Sequence, residues 1–254
     1  MDAQLDALQA DPAAWADLMG IASHSYNMAA TPKVAQRLQG SGKQYWMTEA
    51  SDNGPEVPGE TLRGASLATR ILNDMNHGIN RWIHFVGFKT PDANDNATRI
   101  IAYTVTPFST TLFKKYAYYA ALSKAFDVGA AFRASQSSLE GEMTYTYGKK
   151  LRIIAAAVRN PDGTWAIAIS NFTSPSFRDT DDEHNFAIHN SGCAAKTFTV
   201  TVRVPELGKD GDLLFEVRRG SRNFQHAESL TLQNGEVTVP DVGPLDLVTL
   251  RAAQ

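Results

Sequence analysis

Near residue 130 the patterning of this chain changes character, and that change constrains its fold more than any other feature. Residues 1 to about 130 alternate helical and strand patterns, whereas residues from about 131 onward read entirely as short strands. In the first half, Asp11 to Leu18 reads as a helix, with Asp11 as N-cap and Pro12 at the first helical position. A short strand follows over Gly20 to Tyr26, and Thr31-Pro32 opens a helix through Val34 and Leu38 that stops at Gly40. Tyr45 to Ala50 reads as the next strand. From about Thr61 to Asn76, Leu67, Ile71, Leu72 and Met75 fall at helical spacing, with His77-Gly78 as the stop. Arg81 to Phe88 is almost continuously apolar, which predicts a strand covered on both faces. Beyond a polar loop (Pro91 to Thr98), Ile100 to Val105 is extended and Leu112 to Phe126 forms the last helix of this half.

Short strands alternating with amphipathic helices predict parallel βαβ units. Three such units are present, where a closed barrel needs eight. The second half predicts strands near Leu151–Val158, Trp165–Ser170, Thr197–Val204, Leu213–Arg218, Ser229–Leu232, Glu236–Val239 and Asp246–Arg251. Asn160-Pro161-Asp162-Gly163 and Gln233-Asn234-Gly235 supply residues that accept positive φ at hairpin turns. Seven short strands at this spacing indicate a β-sandwich, with the polar stretch Thr173 to Ala195 as a loop. The expected class is therefore α/β plus all-β: a partial (β/α) barrel over 1–130 and a β-sandwich over 131–254.

Composition narrows the function. The 254 residues suffice for a sizeable core, and 43% hydrophobic with 20% charged residues is ordinary for a globular protein. The net charge is −3 and no long basic tract occurs, which argues against nucleic-acid binding and favours a neutral substrate. A single cysteine, Cys193, excludes an intrachain disulfide and a cysteine-rich metal site. The first residues lack the basic and apolar regions of a secretory signal, and no apolar run reaches bilayer-spanning length. The expectation is a protein with no membrane partner, cytoplasmic as written, or secreted if an N-terminal segment has been lost.

One motif carries chemistry. Gln44-Tyr45-Trp46-Met47-Thr48-Glu49-Ala50-Ser51 is an aromatic, apolar run ending in a carboxylate, and a loop of polar, Gly and Pro residues follows at once. In (β/α) barrels the strand ends are where chemistry is placed, so Glu49 is a candidate catalytic carboxylate; a strand-end salt bridge is the alternative. Asp52, Glu56 and Glu60 read as solvated loop charges. Asp179 to Glu183 with His184 and His189 is rich enough in oxygen for calcium, yet lacks the Gly and spacing of an EF-hand loop and reads as a solvated acidic loop. Asn96-Ala-Thr98 and Asn171-Phe-Thr173 match the glycosylation pattern, and neither a phosphate loop, a serine elbow nor a cofactor fingerprint is present. No cofactor and no metal is expected.

Four segments, in order, make the chain resemble the C-terminal part of a clan-A retaining glycoside hydrolase, most like glycoside hydrolase family 30. Gly20-Ile-Ala-Ser-His-Ser-Tyr26 resembles the family's sixth barrel strand and Trp46-Met-Thr-Glu49 its seventh, which carries the nucleophile. Asn80-Arg-Trp-Ile-His-Phe-Val-Gly87 resembles the eighth strand. Tyr116 to Phe126, followed by Val128-Gly129, resembles the helix leading into the side β-domain. The resemblance implies retaining hydrolysis of a β-glycosidic bond with Glu49 as nucleophile. It implies that His24 and Tyr26 orient that carboxylate or contact sugar hydroxyls, and that Trp46, Trp82 and His84 line the sugar site. Departures are Phe85 or Val86-Gly87 where the family has a second aromatic, and the lack of counterparts to strands one to five.

The acid/base Glu of the family's fourth strand therefore has no counterpart here. A retaining mechanism needs two carboxyl groups about 5–5.5 Å apart. Three readings follow: a glycosidase whose site is completed in a homo-oligomer, which also covers the open barrel edges; an inactive remnant that binds carbohydrate; or one half of a split enzyme whose partner chain supplies the other strands.

Overall fold

A computed structural model describes residues 2–24, 31–50, 60–91, 99–133, 135–139, 153–173, 194–207 and 211–253. It is a mixed α/β structure with several sheets, and no closed barrel exists among the described residues. Helices α1 (Asp2–Ala10) and α2 (Pro12–Asp17) lead in, and Asp11 accepts hydrogen bonds from the backbone N–H groups of Ala13 and Ala14 as the sequence predicts. Three parallel strands follow, β1 (Gly20–His24), β2 (Gln44–Ala50) and β3 (Arg81–His84), hydrogen-bonded in that order. Helices α3 (Thr31–Leu38) and α4 (Glu60–Asn76) make the crossovers.

The three strands form a sheet with one covered face and one open face. On the covered face Ser23, Met47 and Trp82 stand in register, and Tyr45, Met47 and Trp82 join a core with Val34, Leu38, Ala68, Leu72 and Tyr118. Across the same strands Ala22 and Arg81 are exposed and Trp46 is half-buried. The expectation that Arg81 to Phe88 is one strand covered on both faces is corrected here. Strand β3 ends at His84, Ile83 is exposed, and Phe88–Lys89 belongs to another sheet as β4. Charged Arg81 and exposed Ile83 share the open face, so the run alternates after all.

Strand β4 pairs with β5 (Ile101–Val105), which pairs in turn with β6 (Phe108–Leu112). Leu112 therefore ends a strand rather than opening a helix; α5 begins at Lys114 and ends at Ala125. Two residues, Thr106 and Pro107, connect β5 to β6.

The second half holds the predicted strands: β8 (Ile153–Arg159), β9 (Trp165–Asn171), β10 (Phe198–Arg203), β11 (Leu213–Arg219), β12 (Glu228–Leu232), β13 (Glu236–Val242) and β14 (Leu247–Ala252). A short β7 (Ala131–Arg133), which the sequence pattern does not predict, precedes them. Six strands form one sheet in the order β12-β11-β14-β9-β8-β7, and β10 pairs with β13 in a second. Ile167, Ile169, Phe215, Val217, Val248 and Leu250 of the first sheet pack with Val237, Val239 and Val242 of the second. The left-handed Asn234 (φ 52°) and Gly235 (φ 77°) turn the β12–β13 hairpin.

The larger sheet turns its other face to the first half. Ile154, Ala156, Ala168, Phe172 and Leu247 belong to the same core as α4 and α5. Thr69 of α4 shares a buried 2.8 Å hydrogen bond with Ser170 of β9. Helix α4 is buried around its circumference from Leu62 to Asp74, including Arg63, Arg70 and Asn73. The change of pattern near residue 130 is thus a change of local structure across which one hydrophobic core continues.

Candidate active site

Glu49 reaches its position through a slip in register. Strands β1 and β2 pair residue for residue from Gly20–Gln44 to Ser23–Met47, and then His24 pairs with Glu49, leaving Thr48 as the extra residue. The bulge lets the next side chain turn to the open face, while Ala50 returns to the core. Glu49 thus stands at the C-terminal end of the central strand, 31% exposed, with the Nδ1 of His24 3.7 Å from its Oε1. That distance is longer than a hydrogen bond and gives an attractive contact when the imidazole is protonated.

The surroundings follow from the same register. Trp46 lies one pair below on the open face. Its indole N–H donates to Gln44 Oε1 at 2.7 Å, and the Arg81 guanidinium lies 4.8 Å from its ring centroid. Past β3, the N–H of Phe85 donates to the carbonyl of Ala50, so this half-exposed ring sits at the same strand end as Glu49. Arg81 and Ile83 are not singled out by the sequence, because an almost continuously apolar run predicts burial on both sides, and Phe85 enters there only as a departure from the family's second aromatic. The Arg81-Trp82-Ile83-His84 alternation was the available signal.

Trp82 and His84 are placed on the covered face. The Trp82 indole N–H donates to Asp74 of α4 at 2.8 Å, and the ring lies 6.1 Å from His84, near-parallel, and 6.4 Å from Tyr119 of α5. The structure therefore brings His24, Trp46 and Glu49 to one side of the sheet and sets Trp82 and His84 on the other. Burial raises the Tyr119 phenol above its ordinary range, in keeping with this apolar packing.

Several other candidates of the sequence lie outside the described residues: Tyr26, Asp52, Glu56, Asn96, Asp179 to Glu183, His184, His189 and Cys193. Among the described residues no group of three His, Cys, Asp or Glu side chains is placed to hold a metal. No helix is long and apolar enough to cross a membrane. Asn171, first of the second glycosylation-like triplet, is fully buried and donates to the carbonyls of Lys196 and Val242, so it serves as a structural tie. Two grooves lie away from Glu49. One of about 870 Å³ runs between β8 and β10, and one of about 800 Å³ is lined by Trp82, Tyr119, Phe126 and Phe132.

In (β/α) folds the C-terminal ends of parallel strands are where chemistry is placed, and Glu49 stands at one of them. Neither a protein-family model nor a curated protein matches the chain. Solved structures do. SrfJ from Salmonella typhimurium superposes with a TM-score of 0.59 at 14% identity over 98% of this chain and 44% of that one. A family 30 endoxylanase from Clostridium papyrosolvens C71 gives 0.58 at 14% identity, covering 96% and 51%. The catalytic domain of the family 30 xylanase C from Talaromyces cellulolyticus gives 0.57 at 12% identity, covering 92% and 52%. The likeness is one of fold: that of a clan-A glycoside hydrolase, most like family 30. The chain spans about half the length of these structures.

Proposed function

We propose that this chain is a retaining β-glycosidase with Glu49 as nucleophile, acting on a carbohydrate whose scissile bond lies over the open face. The observation that carries the reading is the bulge at Thr48, which delivers the one carboxylate of the three parallel strands to their C-terminal end beside His24. In this reading β1, β2 and β3 correspond to strands six to eight of a (β/α) barrel, and the paired sheets of the second half form a β-sandwich side domain.

The chemistry assigns Glu49 attack on the anomeric carbon, which forms a glycosyl-enzyme ester as the glycosidic C–O bond breaks and the leaving alcohol takes a proton from the second carboxyl group; water, deprotonated by that same group, then hydrolyses the ester. His24 orients the attacking carboxylate, and Tyr26, two residues further along the sequence, is assigned the same role. Trp46 and Phe85 offer aromatic surface to the sugar, while Trp82 and His84 hold β3 from behind. The second carboxyl group, acid and then base, belongs to residues beyond these three strands, and a neighbouring copy of the chain in a homo-oligomer is the proposed source. Access to that copy is open because the strands present their face to solvent.

The test is hydrolysis of a panel of aryl β-glycosides by the wild type and Glu49→Gln, with a 2-deoxy-2-fluoro glycoside as trapping reagent. Turnover lost in Glu49→Gln, and a mass increment of one sugar on the peptide holding Glu49, are expected. Turnover unchanged in Glu49→Gln, or no turnover on any glycoside, would sink the assignment.

A further inference from the structure

The sheet formed by β4, β5 and β6 gathers large apolar side chains on one exposed face. Its register places Phe88, Ile101, Tyr103, Val105, Phe108 and Leu112 on one face, with Thr110 among them. Of these Phe88 is 70% exposed, Val105 73%, Phe108 74% and Leu112 58%. Thr104, Ser109 and Thr111 point the other way. There the Thr104 hydroxyl bonds to Ser109 Oγ and to the carbonyl of Pro107, and Ala102 is buried. A sheet that faces solvent alone places its polar side chains outward. Here four large apolar residues stand outward on one face.

We propose that this apolar face is a docking surface for a second copy of the chain, packed face to face about a two-fold axis. The four most exposed residues present on the order of 500 Å² of surface, which ranks with the largest patches of ordinary monomers. Doubled across a two-fold, it comes to roughly 1,000 Å², the lower bound for a specific interface. The face carries no charge, so opposing it to itself creates no like-charge contact, and a two-fold interface requires self-complementarity of this kind.

The location gives the dimer its consequence. Strand β4 starts three residues beyond Phe85, and the N–H groups of Ile100 and Ile101 bond to the carbonyls of Val86 and Gly87. The sheet thus continues from the C-terminal end of β3, next to the end of β2 that carries Glu49, and in the proposed dimer the docked copy approaches from this side. This last point rests on the glycosidase reading; the docking face itself does not.

The test is sedimentation equilibrium of the full chain over a hundredfold concentration range, for the wild type and Phe88→Ser/Phe108→Ser. Both substituted residues are exposed, so circular dichroism should be unchanged. The wild type should approach twice 27.7 kDa, and the double variant should need at least about a hundredfold higher concentration to do so, because each substitution enters the interface twice. A wild type that stays at 27.7 kDa throughout, a dimer indifferent to the double substitution, or a monomer that instead binds phosphatidylcholine vesicles overturns the proposal. Aryl glycoside turnover measured on the same samples separates the two ideas: a dimer without turnover leaves the docking face standing and removes the catalytic reading.

Discussion

Gly64 offers a test in which two well-understood effects have opposite signs. It lies within α4, where replacing glycine by alanine ordinarily stabilises a helix by about 0.8–1 kcal/mol. Its position faces α5, however, and a Cβ there would stand 2.7 Å from Cδ2 and 2.9 Å from Cε2 of Tyr118. Carbon atoms in contact prefer roughly 3.5–4.0 Å, so the methyl overlaps the ring by about an ångström. Tyr118 has nowhere to retreat. It is fully buried, its hydroxyl donates to the carbonyl of Leu245 at 2.8 Å, and Phe224 packs edge-on with ring centroids 5.4 Å apart. Overpacking costs about 1–3 kcal/mol; with the ring held on every side the upper part of that range applies, about 2–3 kcal/mol, which outweighs the helix gain and leaves a net loss of about 1–2 kcal/mol. Gly64→Ala should lower the melting temperature by roughly 2–8 °C, and urea denaturation should show a lower midpoint with an unchanged slope. Gly64→Ala/Tyr118→Leu should be more stable than the sum of its parts by at least about 1 kcal/mol. A Gly64→Ala protein more stable than the wild type would refute the close approach of the two helices.

Three further outcomes can be measured with the same denaturation assay. Trp82→Phe removes the indole donor to buried Asp74 and should cost about 1–3 kcal/mol; a change within error would show that the bond is not part of the core. Thr69→Val should cost a similar amount by leaving the buried Ser170 hydroxyl without its 2.8 Å partner, and Thr69→Val/Ser170→Ala should recover part of it. The Arg251 guanidinium forks onto both carboxylate oxygens of Asp127 at 2.8 Å and holds its pKa below the ordinary value. That contribution is present above the unfolded pKa and lost as pH falls through the folded one, so Asp127→Asn should flatten the acid limb of stability against pH. An unchanged acid limb would count against the fork.

The β-half was legible because its strands announce themselves twice, by alternation and by the turns between them. Asn234-Gly235 and Asp162-Gly163 fixed two hairpins from local chemistry, and every predicted strand is present within a few residues. Helix boundaries were similarly local: Asp11 caps α2, and Gly78, at φ 95°, follows α4. What could not be read was tertiary. The covered and open faces of β3 depend on which side α4 and α5 pack, so Trp82 was legible as an aromatic strand residue but its bond to Asp74 was not. Strand β6 was hidden because Phe108 to Leu112 lacks a buried face, the very property that marks it for docking. At the site, Glu49 was legible as the carboxylate closing an apolar strand. The slip at Thr48 that aims it was not, because a bulge is set by pairing with β1 rather than by local preference.

Strand β14 is the last strand of this sequence, yet it lies in the interior of the six-stranded sheet, between β11 and β9. Its Leu247 completes the core around α4 and α5, while Val248 and Leu250 complete the one between the sheets. During synthesis the ribosome therefore releases β9 and β11 well before the strand that joins them. Until Leu247–Ala252 emerges, the nascent chain holds two unpaired strand edges and two unfinished cores. Folding of the earlier segments can reach only partial order, because the six-stranded sheet becomes continuous only when β14 inserts between β11 and β9.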